Sequence, residues 1–162
     1  MVYAWRANFW QPPSPAAAPP KNLIFIEVAG AVANPGVYSF PTSPTLPEVM
    51  DKAGGPVDAA QAKTALPSGS RVEADRAGSC RVGRMAGRRL LTLGLPINLN
   101  EATAEDLEAL PGVGPVLAER IIAYRRAHGP FRRVDDLKEV SGLGPESLEQ
   151  LRPHLTLETP NN

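Results

Sequence analysis

The sequence predicts an α+β protein built from two unlike parts, a small mixed α/β domain followed by an all-α domain. Three observations carry that expectation. Strand-like apolar runs separated by turn signals fill the first half. A ten-residue pattern recurs without a gap at an offset of 30 residues in the second half. The 18 prolines and 14 glycines of the 162 residues cluster, which suits linkers between compact units rather than one continuous fold.

Residues 22–30, Asn-Leu-Ile-Phe-Ile-Glu-Val-Ala-Gly, read as a strand because β-branched and aromatic residues dominate them. Asn34-Pro35-Gly36 is a turn signal, and Val37-Tyr38-Ser39-Phe40 returns as a second strand. A short helix is expected over 46–53, stopped by Gly54-Gly55. Arg71-Val72-Glu73-Ala74 reads as a further strand, so the mixed domain spans 22–75. Residues 76–96 are an Arg/Gly-rich connection with an apolar patch at Leu90-Leu91-Thr92-Leu93, and both a linker and a last strand fit it. Residues 1–21 form a Pro/Ala-rich linker headed by the aromatic stretch Met1 to Trp10. That stretch is too short and interrupted for a signal-peptide core, and the end of a longer anchor is one reading of it. No run approaches the roughly 18 apolar residues of a membrane helix.

The all-α domain is expected over 97–158. Asp106-Leu-Glu-Ala-Leu-Pro-Gly-Val-Gly-Pro115 aligns with Asp136-Leu-Lys-Glu-Val-Ser-Gly-Leu-Gly-Pro145, and so local a repeat is an architecture signal. Each copy reads helix, tight turn, helix. Thr103 followed by Asp106 resembles a capping box. Pro111-Gly112-Val113-Gly114 breaks the first helix, and Pro115 suits the first position of the next, which runs to about residue 127 before Gly129-Pro130. The second copy predicts helices over 134–140 and 145–151 around Ser141-Gly142-Leu143-Gly144. Leu107, Leu110, Ile121, Phe131, Leu137, Val140, Leu148 and Leu151 are the expected core. The plan is a tandem helix-hairpin-helix domain.

Such hairpins have chemistry. The glycines flanking Val113 permit positive φ and close approach of a ligand to the backbone. The turn feeds a helix N-terminus, whose first amides are unpaired and whose dipole favours an anion. The N–H groups of Gly112, Val113 and Gly114, and of Gly142, Leu143 and Gly144, are therefore candidate phosphate donors. Main-chain donors position a nucleic acid without reading its bases. Candidate flanking cations are Arg120, Arg125, Arg126, Arg132 and Arg133, and a solvated face is the bland alternative for each. Arg81, Arg84, Arg88 and Arg89 either lie along a DNA backbone or keep a linker soluble. Charge complicates the picture: residues 98–158 carry seven Lys/Arg against eleven Asp/Glu, a balance of −4, whereas residues 71–94 carry six against two, a balance of +4.

The residues from Asn98 through Gly114, with Ala118 to Arg125, Gly129-Pro-Phe131 and Val134 to Gly144, closely resemble the late-competence DNA receptor family (ComEA). Upstream, Val28 to Tyr38 with Ala53-Gly-Gly55 resembles the soluble-ligand-binding β-grasp (SLBB) module. The resemblance implies a β-grasp-like domain followed by an all-α tandem helix-hairpin-helix domain, in an extracytoplasmic receptor that captures double-stranded DNA during natural transformation and DNA uptake. Further candidate partners are the DNA-uptake channel or pilus machinery and self-association. The sequence departs from the family in lacking a visible anchor and in placing Val116-Leu-Ala-Glu119 and Glu146-Ser-Leu-Glu149 where basic residues are common. The second hairpin is accordingly expected to be the weaker DNA site or chiefly structural.

Two other classes compete. Hairpin glycosylases place a catalytic aspartate about twenty residues past the hairpin, where Asp135 falls, yet Asp135 is the repeat counterpart of Glu105 and the chain offers little room for a base-flipping pocket. No enzyme activity is expected, no cofactor or small-molecule substrate, and no metal: Cys80 is the sole cysteine, and His128 and His154 have no partner at ligand spacing. An envelope interaction module binding protein or polysaccharide is the serious alternative, favoured by the acidic balance of the second domain.

Overall fold

A computed structural model describes residues 23–56 and 65–158, and the linker expected over 1–21 lies outside them. The first half is a four-stranded mixed sheet in the order β2-β1-β3-β4. β1 (Ile24–Gly30) pairs antiparallel with β2 (Gly36–Phe40) and parallel with β3 (Ser70–Ala74), which pairs antiparallel with β4 (Cys80–Arg84). Between β2 and β3 runs α1 (Leu46–Ala53), opened by a capping box in which the Thr45 amide donates to Glu48 at 2.7 Å and ended by left-handed Gly54. Leu46, Val49, Met50 and Ala53 of α1 are buried, in one core with Ile26, Val28, Val72 and Cys80 of the sheet. The alternating residues Phe25, Glu27 and Arg71 face the other way.

Residues 76–96, where both a linker and a last strand fit the sequence, form regular elements. They hold β4 and then α2 (Gly87–Thr92). Asp75 makes the β3–β4 turn by accepting from the amides of Ala77 and Ser79, which brings the Arg-rich strand into register with β3. α2 buries Leu90 in the core of the second half.

That half contains β5 (Ile97–Asn98), α3 (Ala104–Glu108), α4 (Pro115–His128), a 3-10 helix (Val134–Glu139), α5 (Pro145–Leu151), a second 3-10 turn (Arg152–His154) and β6 (Leu155–Thr156). β5 and β6 pair in parallel and clasp the two ends of the domain. All eight expected core residues are buried. In α4 the buried positions are Ala118 and Ile121, while Leu117, Ile122 and Tyr124 pack partly buried against the same cluster. The first helix of the second copy is a 3-10 helix rather than an α-helix, with Leu137 as its buried residue. A single inward anchor does not require the wider 3.6-residue winding.

The two halves share an interface. Phe25 and Val37 of the sheet pack against the hairpin core. Glu27, on the same sheet face, is buried and pairs with Arg71 at 3.6 Å and with Arg89 of α2 at 3.3 Å.

Candidate nucleic-acid interface

The hairpins form because each anchors one apolar residue inward. Val113 and Leu143 are both buried, and their amides donate to the carbonyls of Leu110 and Val140 at 3.2 and 3.1 Å. This corrects the expectation that all three amides of each hairpin face a ligand: those of Val113 and Leu143 are spent within the turn. The amides of Gly112, Gly114, Gly142 and Gly144 make no backbone hydrogen bond among the described residues, and all four glycines are exposed.

The glycines divide into two kinds. Gly112 and Gly142 have φ of +75° and +99°, the left-handed region that side chains rarely adopt. Gly114 and Gly144, expected to share that freedom, are instead extended N-cap residues with φ of −93° and −86°. Nothing in the backbone angle requires glycine there, and a Cβ on either would meet no atom within 4 Å. Position and space would equally admit Ser or Asp, which cap helices better. The demand for bare backbone at 114 and 144 has no source within the fold.

Each hairpin then enters a helix through proline, Pro115 in α4 and Pro145 in α5. The first turn of α4 holds no acid, whereas that of α5 holds Glu146. An anion is therefore opposed at the second hairpin by a carboxylate that the first one lacks.

The candidate arginines separate. Arg120 is exposed and donates through Nη1 to the Ser141 carbonyl at 3.0 Å, which sets it at the second hairpin instead of near Gly129. Arg125 is turned inward, donating to the carbonyls of Leu99 and Ala102 at 2.9 and 3.2 Å. Burial, and then the neighbouring charges of Arg126 and Arg84, hold its pKa below the usual arginine value. It staples α4 to the β5–α3 loop and is not the solvent-facing cation expected of it. Arg126 and Arg132 are exposed, and Arg133 is exposed beside Asp136 at 3.4 Å.

Of the upstream arginines, Arg84 pairs with Glu101 at 3.2 Å and Asp106 at 3.1 Å, Arg89 pairs with Glu27, and Arg81 stands opposite Glu73 across the β3–β4 register. Neither a loose basic linker nor a free basic rail describes Arg84 and Arg89, whereas Arg81 and Arg88 are exposed. Asp135 pairs with Arg152, and its neighbour Asp136, the repeat counterpart of Asp106, caps its helix by accepting from the amides of Arg132 and Arg133. The aspartate at the glycosylase spacing thus has a structural partner. His128 stacks on Tyr124 with ring centroids 4.3 Å apart.

Sequence reasoning missed two polar fasteners. Asn100 donates to the Phe131 carbonyl at 3.0 Å and accepts from the Phe131 amide at 2.8 Å, fixing the link between the two motifs. Asp106 reaches beyond its own helix to the amide of Gly87 at 2.6 Å. The Asn-x-Asn at 98–100 and the Arg/Gly-rich run before it were the available signals, but neither names its partner.

The helix-hairpin-helix motif family matches residues 94–156 and the SLBB domain family matches residues 25–73. Over 145 residues the chain is 35% identical to ComE operon protein 1 of Bacillus subtilis (strain 168), across 84% of this chain and 71% of that protein. The chain belongs to this family. It is the late-competence family that the hairpin residues resemble, with its sheet domain and hairpin domain in the expected order. Shorter likenesses accompany it. An uncharacterized protein of Haemophilus influenzae is 40% identical over 60 residues, 36% of this chain and 54% of its own length. The human endonuclease/exonuclease/phosphatase family domain-containing protein 1 is 46% identical over 56 residues, 35% of this chain and 10% of its own length.

Proposed function

We propose that this chain is a competence DNA receptor, binding double-stranded DNA without sequence preference through the backbone of its hairpins and passing it to the uptake machinery from an extracytoplasmic position. The observation that supports the reading is the bare, exposed backbone at Gly114 and Gly144, which packing does not require and which leaves their amides open to an external ligand. The donors are the amides of Gly112 and Gly114 and, at the second hairpin, of Gly142 and Gly144, with Arg126, Arg132 and Arg133 supplying positive charge. Contacts of this kind grip phosphate oxygens and leave base edges unread. Membership of the ComE operon protein 1 family supports the competence role. No helix among the described residues is long and apolar enough to cross a membrane.

The test is a titration of two unrelated fluorescent duplexes across a range of salt. Equal affinities are expected, falling with salt at a slope of roughly −2 to −4 for two to four phosphate contacts. Gly114→Val and Gly144→Val should each weaken binding while the chain still folds, since the added side chains point into open space and cost no more than a poorer N-cap. Failure of the wild-type chain to bind either duplex at low salt overturns the reading. The −4 balance of residues 98–158 would then direct the search to envelope proteins and polysaccharides as ligands.

A further inference from the structure

The two hairpins differ in what stands beside their first glycine. A Cβ on Gly112 would meet nothing within 4 Å, whereas one on Gly142 would lie 2.8 Å from Nη1 of Arg120 and 3.7 Å from Cδ1 of Leu117. The same Nη1 donates to the carbonyl of Ser141, the residue that opens the second hairpin. Arg120 and Leu117 both belong to α4, the helix that springs from the first hairpin. The second hairpin is thus seated on the first motif's helix and fastened there by one guanidinium.

We propose that Arg120 is the positioning residue of the second hairpin, setting where it stands relative to the first on a bound duplex. The inference rests on the DNA-binding reading above. Two grips on one stiff ligand reinforce each other only when both can engage at once, and the gain vanishes when their spacing is lost. α4 is the natural ruler, because the first hairpin caps its N-terminus and Arg120 follows five residues after Pro115, roughly 7–8 Å along the axis. The covalent route between the hairpins runs instead through a loop and a 3-10 helix, whose hydrogen bonds are poorer. A charge-assisted bond to a carbonyl is a stronger fastener than a neutral one.

The rival role, Arg120 as a simple phosphate contact, makes a different prediction in double-mutant cycles. The experiment combines Arg120→Ala with Gly114→Val and with Gly144→Val in the full chain, and measures affinity for a duplex long enough to meet both hairpins. A positioning role predicts that Arg120→Ala weakens binding several-fold and that it adds little to either Gly144→Val or Gly114→Val, because spacing matters only while both hairpins engage. A readout without DNA accompanies it. The Leu143 amide, bonded to Val140, should exchange several-fold faster in Arg120→Ala, while the Val113 amide keeps its wild-type rate.

Unchanged affinity in Arg120→Ala, an effect that multiplies with that of either glycine variant, or unchanged exchange at Leu143 would each overturn the proposal. Absence of wild-type DNA binding would instead strike at the preceding reading, and the exchange rates would still decide whether Arg120 holds the hairpin.

Discussion

Asp106 sits in the first turn of α3, where a carboxylate ordinarily caps its own helix. It does so here, accepting from the Thr103 amide at 3.0 Å, but it also accepts from the Gly87 amide at 2.6 Å and from Arg84 at 3.1 Å. The residue is 7% exposed, so each partner depends on it in a place where water cannot substitute. Asp106→Ala should therefore cost about 2–4 kcal/mol, the range for stranding buried charge-linked partners. Gly87 is bound to the same spot by space. A Cβ there would lie 2.7 Å from the Asp106 Cα and 2.9 Å from its carbonyl oxygen, both rigid neighbours. Gly87→Ala must push α2 away from α3, at an expected cost of about 1–3 kcal/mol. Urea unfolding midpoints check both substitutions, and wild-type stability in either would mean that α2 adjusts freely.

At the scale of elements, the repeat predicts two equal caps but the protein uses them differently. Asp136 ends its duty within its own turn, where hydrogen bonds from the backbone of Arg133 and then Arg132, with the nearby Arg133 charge, hold its carboxyl below the ordinary 3.8. Between that lowered value and 3.8 the folded chain binds fewer protons than the unfolded one, so the contribution is present above 3.8 and lost as pH falls through the folded value. Asp136→Asn should lower the melting temperature at neutral pH, with the gap closing in strong acid. A gap independent of pH would show that charge plays no part in this cap. The hairpins, α1 and the eight core positions were legible because hydrophobic spacing and glycine placement specify them locally. β4 was not, since only Cys80 of that strand reaches the core and Arg81, Gly83 and Arg84 lower its strand propensity; pairing with β3 supplies what local preference lacks. Nor could spacing show that Arg125 faces inward, because its acceptors, Leu99 and Ala102, lie more than twenty residues away.

At the scale of the molecule, α2 belongs to both halves. Its Leu90 lies in the hairpin core, while its Arg89 pairs with Glu27 on the sheet. Beside it Arg84, at the end of β4, reaches Glu101 and Asp106, and Phe25 and Val37 lay the sheet's outer face against the same core. Separating the halves would take Arg89 from Glu27, leaving it Arg71 alone, and Arg84 from Asp106, and would expose apolar surface at the same time, which couples the two unfolding events. We expect a single calorimetric transition with equal calorimetric and van't Hoff enthalpies. Saturating duplex DNA supplies a second check. A ligand at one hundred times its Kd stabilises the folded state by about 2.7 kcal/mol, and in a coupled molecule that gain reaches the sheet although no hairpin touches the DNA through it. Amide exchange in β1 and β3 should therefore slow along with exchange in α4 when DNA is added. Two transitions, with DNA raising only the one that belongs to the hairpin domain, would mean that α2 is a tether and the sheet an independent module.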